Sequence, residues 1–197
     1  MQRVIKPFIF VLCLLPLVLL SINFYLDELG ANPFEVFTRS TGEWTLRFLL
    51  LTLAMTPLRQ LTGSAWPLRI RRMLGLYSFF YVCIHLTTYL VLDHFFDWNE
   101  IIKDIVKRPY ITFGMLAFIL LVPLAMTSTK KMMQRLGKRW KSLHKLIYVI
   151  AILGVLHFIL LVKADLREPI IYALILLSLL LVRLKPALLQ KYNFNPH

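Results

Sequence analysis

The chain has 197 residues, 58% of them hydrophobic, and a mean hydropathy of +0.68. Soluble domains hold about 45–50% apolar residues, so this composition excludes an ordinary soluble enzyme and specifies an integral membrane protein. The formal charge of +13 would suggest nucleic acid in a soluble protein; in a membrane protein it is the Lys and Arg excess of cytoplasmic loops, and no nucleic-acid partner is expected.

Six apolar segments predict an all-α bundle of six transmembrane helices, read as one domain over residues 1–197. Phe8–Leu26, preceded by Arg3 and Lys6, is too long for a signal peptide and lacks a small-x-small cleavage site after it; Pro16 is placed to kink it. Trp44–Leu58 is a shorter second span, ended by Pro57, with Arg47 in its first turn snorkelling outward. Met73–Leu92 is the third, followed by a mixed-charge loop to Pro109 with room for a short surface helix. Tyr110–Ser128 is the fourth, with Pro123 placed to kink it. A basic loop carrying Lys130, Lys131, Arg135, Lys138, Arg139 and Lys141 leads to the fifth, Leu143–Val162. A tight connection, Lys163–Glu168, precedes the sixth, Pro169–Val182, and Arg183, Lys185 and Lys191 follow. No internal repeat stands out. Cys13 and Cys83 lie inside apolar segments and form neither CxxC nor CxxCH, which argues against a zinc ribbon and covalently attached haem.

The loops are sorted by charge. All 10 acidic residues fall in the first, third and fifth loops, whereas the basic clusters fall at the N-terminus, in the second and fourth loops and in the tail. By the positive-inside rule the basic surfaces and both termini are cytoplasmic. The third span then starts inside near Arg72 and reaches His85, and the fifth starts inside near Leu143 and reaches His157. At about 1.5 Å per residue both imidazoles lie roughly 20 Å from the cytoplasmic end.

Intramembrane histidines are expensive and usually serve a function. His85 and His157, at one depth on two helices, suggest axial ligands that clamp one haem iron from opposite faces; His144 marks a second, inner position. Without CxxCH the haem is non-covalent, b-type, one or two per chain. Opposite His144 the third span offers Arg71 or Arg72 instead of a histidine. The arginine pair also suits an anionic group such as a propionate or a flavin phosphate; positive-inside topology alone would equally place it there. Ser78, Tyr81, His85, Thr88 and Tyr89 form a polar stripe above Gly75, a residue that could admit a flat ring, and Tyr148 lies one turn from His144. Helix packing with hydroxyls bonded across the bundle explains the same pattern. His144 and His157 are 13 residues apart, which on an ideal helix points them in different directions; either the helix distorts at Gly154 or the two sites face different sides. His94 reads as a surface group, and His197 in the tail says nothing.

The stretches RRMLGLYSFFYVCIH, WKSLHKLIYV and VLHFILLVK together resemble the ferric-reductase-like transmembrane family over nearly the whole chain. The resemblance implies a six-helix protein of the bacterial inner membrane with b-type haem on His85, His144 and His157. It implies electron supply from the quinone pool, an association with flavin mononucleotide, and delivery to a periplasmic molybdenum-cofactor reductase that repairs methionine sulfoxide. The wider family pattern has two histidines on each of two helices; here Arg71 or Arg72 stands where the fourth would be. With no GxGxxG, no P-loop and no room for a nucleotide domain, the expected role is a redox subunit rather than the catalytic one. The alternatives are a stand-alone membrane ferric reductase and a histidine-dependent metal or proton transporter.

Overall fold

A computed structural model describes residues 2–162 and 164–192, with side chains for residues 6–162 and 164–183. The side chains of Arg3, Lys163, Lys185, Lys191 and His197, used in the sequence reading, lie outside that description. Among the described residues every regular element is helical: α1 (Gln2–Tyr25), α2 (Pro33–Thr62), α3 (Trp66–Thr88) with a π turn over Tyr89–Asp93, α4 (Trp98–Lys107), α5 (Pro109–Met126), α6 (Lys130–Leu136), α7 (Lys138–Leu143), α8 (Leu146–Leu161) and α9 (Arg167–Tyr192).

Local chemistry sets several boundaries. The Asn32 side chain accepts from the Glu35 N–H ahead of Pro33, and Asp97 accepts from the N–H groups of Asn99 and Glu100 at the start of α4. Gly63, at φ +64°, closes α2 and returns its N–H to the Arg59 carbonyl. The expected end of the second span at Pro57 is therefore wrong: α2 begins earlier and runs through the proline. Proline removes the N–H that would bond the carbonyl four residues back, here Leu53, and the Arg183 guanidinium of α9 donates to that carbonyl instead. Arg47 does not snorkel outward either. It sits in the middle of α2, paired with Glu43 at 2.9 Å and donating to the Tyr172 hydroxyl of α9 at 2.8 Å.

Four helical stretches among the described residues are long and apolar enough to cross a membrane: Lys6–Tyr25, Trp66–Asp93, Pro109–Met126 and Lys138–Leu161. The six-span expectation is met only to that extent: α2, which carries Glu35, Arg39, Glu43, Arg47 and Arg59, and α9, whose side chains are described only as far as Arg183, are not among the four. Large apolar side chains cover the outside of the bundle, with Phe8 and Val11 each 65% exposed and Leu174 59% exposed; so much exposed apolar surface belongs to a lipid-facing, multi-pass membrane protein.

Inside, α2 and α3 run antiparallel in a register marked by Thr38 on His85, Thr45 on Ser78 and Thr56 on Arg71. The second antiparallel pair, α5 and α8, sets Tyr110 on His157 and Thr127 on His144. Leu46, Leu53, Leu121, Ile150 and Phe158 belong to the core shared by α2, α5, α8 and α9. A second core joins α1 to α2 and α3 through Cys13, Phe48, Leu74, Tyr77 and Tyr81. Two expected loops contain helix: α4 is the anticipated surface helix, and the basic loop folds into α6 and α7, hinged at Gly137 with φ +50°. The angular mismatch between His144 and His157 is resolved at His144 itself. The chain breaks there between α7 and α8, with Lys145 and Tyr148 making i→i−3 bonds; α8 passes through Gly154 without interruption and packs it on Leu46.

Tyr81 is fully buried and its hydroxyl both donates to the Cys13 carbonyl at 2.9 Å and accepts from the Leu17 N–H at 3.2 Å. Removing the hydroxyl loses both of these bonds between α3 and α1, each worth about 0.5–1.5 kcal/mol. Tyr81→Phe is expected to lower the thermal midpoint of the detergent-solubilised protein while leaving its visible spectrum unchanged, as read by a melting curve and an absorption spectrum on the same sample.

Candidate functional site

Helices α2, α3, α5 and α8 enclose a cavity of about 840 Å3, within the range of cofactor sites. Leu46, Leu49, Leu121 and Ile150 form its apolar depth, and Glu35, Arg39, Glu43, Asp93, His94, Asp104 and Arg108 line its outer part. His85 and His157 face each other across it with ring centres 6.2 Å apart. Two imidazoles that share one metal ion through bonds of about 2.0 Å have ring centres about 6 Å apart, so the pair is spaced for one ion between them.

The geometry of each ring follows from its second nitrogen. His85 Nδ1 lies 2.8 Å from the Thr38 carbonyl oxygen, and His157 Nδ1 lies 2.6 Å from that of Tyr110. A carbonyl only accepts, so each Nδ1 carries the proton and each Nε2 presents a lone pair; metal-binding histidines are held in this way. A glycine one turn further along each carbonyl-bearing helix leaves room for the ring. A Cβ at Gly42 would sit 3.0 Å from His85 Nδ1, and one at Gly114 would sit 2.8 Å from His157 Nδ1.

The two halves therefore repeat. Carbonyl acceptor and histidine are 47 residues apart in each, with glycine in the same place between them. At the inner end the segment Leu53-Ala54-Met55-Thr56 of α2 reappears as Leu124-Ala125-Met126-Thr127 in α5. The two threonine hydroxyls meet corresponding partners: Arg71 donates to Thr56 at 3.2 Å, and Thr127 bonds His144 Nε2 at 3.1 Å. The sequence reading found no internal repeat because apolar residues exchange freely between the halves, leaving only a four-residue identity and a spacing to detect.

This correspondence separates the arginine pair. Arg71 occupies the place of His144 and lies within electrostatic range of it, of Arg183 and of Tyr148. Arg72 is exposed and points Nη1 toward the Met133 sulfur at 3.8 Å. His144 stacks on Trp140 at 4.0 Å, and the Trp140 indole donates to the Thr127 carbonyl. Tyr148 receives a hydrogen bond from Arg183, a residue the sequence reading left in the tail.

The remaining residues of the polar stripe divide. Ser78 lines the cavity and donates to the Thr45 carbonyl at 3.0 Å. Tyr81 turns to α1, and Gly75 packs on Thr52 of α2, 3.6 Å from where its Cβ would be. His94 is not the surface group expected. It is half-buried, 3.3 Å from Asp104, with its ring 4.6 Å from Tyr89 at the outer part of the cavity. Among the described residues three buried side-chain polar atoms have no partner: Thr38 Oγ1, Tyr89 OH and Arg183 Nε. Each such atom costs about 1–3 kcal/mol if nothing fills the role.

No group of three or more His, Cys, Asp or Glu side chains among the described residues is placed to hold a metal ion. Two facing imidazoles would suit a metal whose other ligands come with it, as those of haem iron do.

Comparison with known proteins shows the family. The family model described as ferric reductase like transmembrane component matches residues 41–155, from the middle of α2 into α8. A protein of Rhodospirillum rubrum is 60% identical over 184 residues, 93% of this chain and 88% of that protein. One of Herminiimonas arsenicoxydans is 56% identical over 91% of this chain and 84% of its own length, and one of Azospira oryzae is 54% identical over 89% and 76%. All three are named protein-methionine-sulfoxide reductase heme-binding subunit MsrQ. On these matches the chain belongs to the ferric-reductase-like transmembrane family and, within it, to the MsrQ group.

Proposed function

We propose that this chain is the haem-binding electron-transfer subunit of a methionine sulfoxide reductase system in the bacterial inner membrane. It takes electrons from the quinone pool or from reduced flavin mononucleotide and delivers them to a periplasmic molybdenum-cofactor reductase. The observation that carries the reading is the imidazole pair: ring centres 6.2 Å apart, each Nδ1 committed to a carbonyl. When bound, b-type haem supplies one-electron redox chemistry. His85 and His157 would hold the outer group, Gly42 and Gly114 give the rings room, and the apolar depth of the cavity excludes water.

His144 with Arg71 opposite it favours either a second haem with an unusual partner or a donor site for quinone or flavin. The positive field of Arg71 and Arg183 beside Tyr148 suits an anionic group there; Arg72, on the outside, would serve an incoming flavin phosphate. Ser78 contributes to the cavity wall, and Gly75 and Tyr81 contribute by packing the third span against its neighbours. The charge sorting supports six spans with both termini cytoplasmic and the outer cavity facing the periplasm. A histidine-bound metal transporter finds no cluster of three ligands among the described residues, and the stand-alone ferric reductase reading draws only on the family's description.

Three measurements test this. His85→Ala and His157→Ala each remove one ligand of the same group, so both should abolish the same b-type absorbance, with the double variant little worse than either. His144→Ala should keep that signal and block its reduction by quinol. An identical loss in His85→Ala and His144→Ala with His157→Ala unaffected would refute the pairing. Gly114→Ala forces a methyl against His157, and is expected to lower haem content to near that of His157→Ala, whereas Gly154→Ala, with 3.5 Å to Leu46, should retain most of it; pyridine haemochrome assay per mole of protein decides. Finally, a reporter active only outside the cytoplasm should work when fused after Asp97 and fail after Lys138; the reverse would overturn the orientation.

A further inference from the structure

The short helix α4 presents three sides to three surroundings. Ile101 is 3% exposed and Asp104 lines the cavity, so this side packs on the bundle. Asn99, Glu100, Lys103 and Lys107 form the polar side, with Glu100 and Lys103 paired at 2.7 Å. Between the two runs an apolar stripe, Trp98, Ile102 and Val106, spaced one turn apart and 61%, 59% and 78% exposed. The turn that leads into α4 adds Phe95 and Phe96, both exposed. Their φ angles are +47° and +61°, a left-handed conformation that bulky side chains rarely adopt. Two successive phenylalanines thus stand where glycine or asparagine would fit without strain.

The connections of α4 fix where this stripe lies. The helix is tied between two stretches long and apolar enough to cross a membrane, Trp66–Asp93 and Pro109–Met126. Only residues 94–97 lead into it, and only Arg108 leads out. The entry turn folds back on the third span, with the Phe96 N–H on the Leu90 carbonyl at 2.9 Å. At the other end the Thr112 hydroxyl of α5 donates to the Ile105 carbonyl at 2.6 Å. Both ends are therefore held where the spans end, and α4 lies along the membrane surface instead of rising from it. An amphipathic helix in that position buries its apolar side between headgroups and acyl chains, where Trp and Phe are well suited. We infer that Trp98, Ile102 and Val106, together with Phe95 and Phe96, seat α4 in the lipid of the bilayer interface. Asp104, on the opposite side of the helix, lies 3.3 Å from both His94 and Arg108, so lipid seating on one side fixes the rim of the cavity on the other.

The test reads lipid and water contact directly. In the full-length chain Cys13 and Cys83 are replaced by Ala, and a nitroxide is attached at Ile102→Cys or Val106→Cys on the stripe, and at Asn99→Cys or Lys103→Cys on the polar side. All four positions are exposed, so the label displaces no packed side chain, and a melting curve of each labelled protein controls for folding. In phosphatidylcholine nanodiscs, collisions of each label with oxygen, which concentrates among acyl chains, are compared with those with a water-soluble nickel chelate. The oxygen-to-nickel ratio is expected to be several-fold higher at residues 102 and 106 than at 99 and 103. Free nickel access at 102 and 106 places the stripe in water and overturns the inference. Shielding from both reagents there places it against protein, a second copy of the chain, and overturns it as well. A second measurement keeps both native cysteines: in nanodiscs with brominated acyl chains, the tryptophan emission lost to quenching should be smaller for Trp98→Phe than for wild type. An equal loss in the two proteins puts Trp98 outside the lipid and overturns the inference.

Discussion

Two hydrogen bonds between buried imidazole and helix carbonyl organise this protein. Each adds an imidazole donor to a helix carbonyl; that of Thr38 also accepts from the Thr41 hydroxyl at 2.8 Å. Each fixes a tautomer, and with it the direction of the remaining nitrogen. Neither bond can form unless the facing helices come close, and that approach requires glycine where the ring passes. Gly42 and Gly114 therefore matter for the space they leave, and their helical backbones make no use of glycine's conformational freedom.

The helix pairs α2–α3 and α5–α8 follow from this constraint. Each is an antiparallel pair with a histidine on one member and a carbonyl-plus-glycine seat on the other, and the two pairs meet across the cavity. The same duplication extends inward, where it diverges: threonine stays, but its partner is Arg71 in one half and His144 in the other. An imidazole offers a lone pair and a guanidinium offers only donors. The outer level is thus chemically symmetric, whereas the inner level sets a possible ligand against a permanent positive charge. Two ends with such different chemistry suit the electron-transfer role proposed above.

Polar groups elsewhere in the bundle are handled by local pairing. Glu43 lies between Arg39 and Arg47, and Arg47 reaches Tyr172, so these three charges of α2 are paired inside the bundle. Pro57 frees a carbonyl and Arg183 takes it. In a low-dielectric interior an unpaired group is costly, and the three atoms left unpartnered stand out for that reason.

The residues alone determined the all-helical membrane class, because apolar runs of spanning length have no other stable form in lipid. They also determined the shared depth of His85 and His157, because rise per residue and charge sorting are one-dimensional quantities. Rotation about a helix axis is not one-dimensional, and there the sequence stopped. It could not say that Tyr81 turns to α1 while His85 faces the cavity, or that Arg71 rather than Arg72 matches His144. Nor could it locate the break at His144, because the short polar interruption there resembles an ordinary helix start. The length of α2 was hidden by Pro57 and by charges that a composition window counts as polar, although Glu43 pairs with Arg39 and Arg47 within the helix itself. The seats of the two histidines were equally invisible, since a backbone carbonyl belongs to every residue and only tertiary contact selects Thr38 and Tyr110.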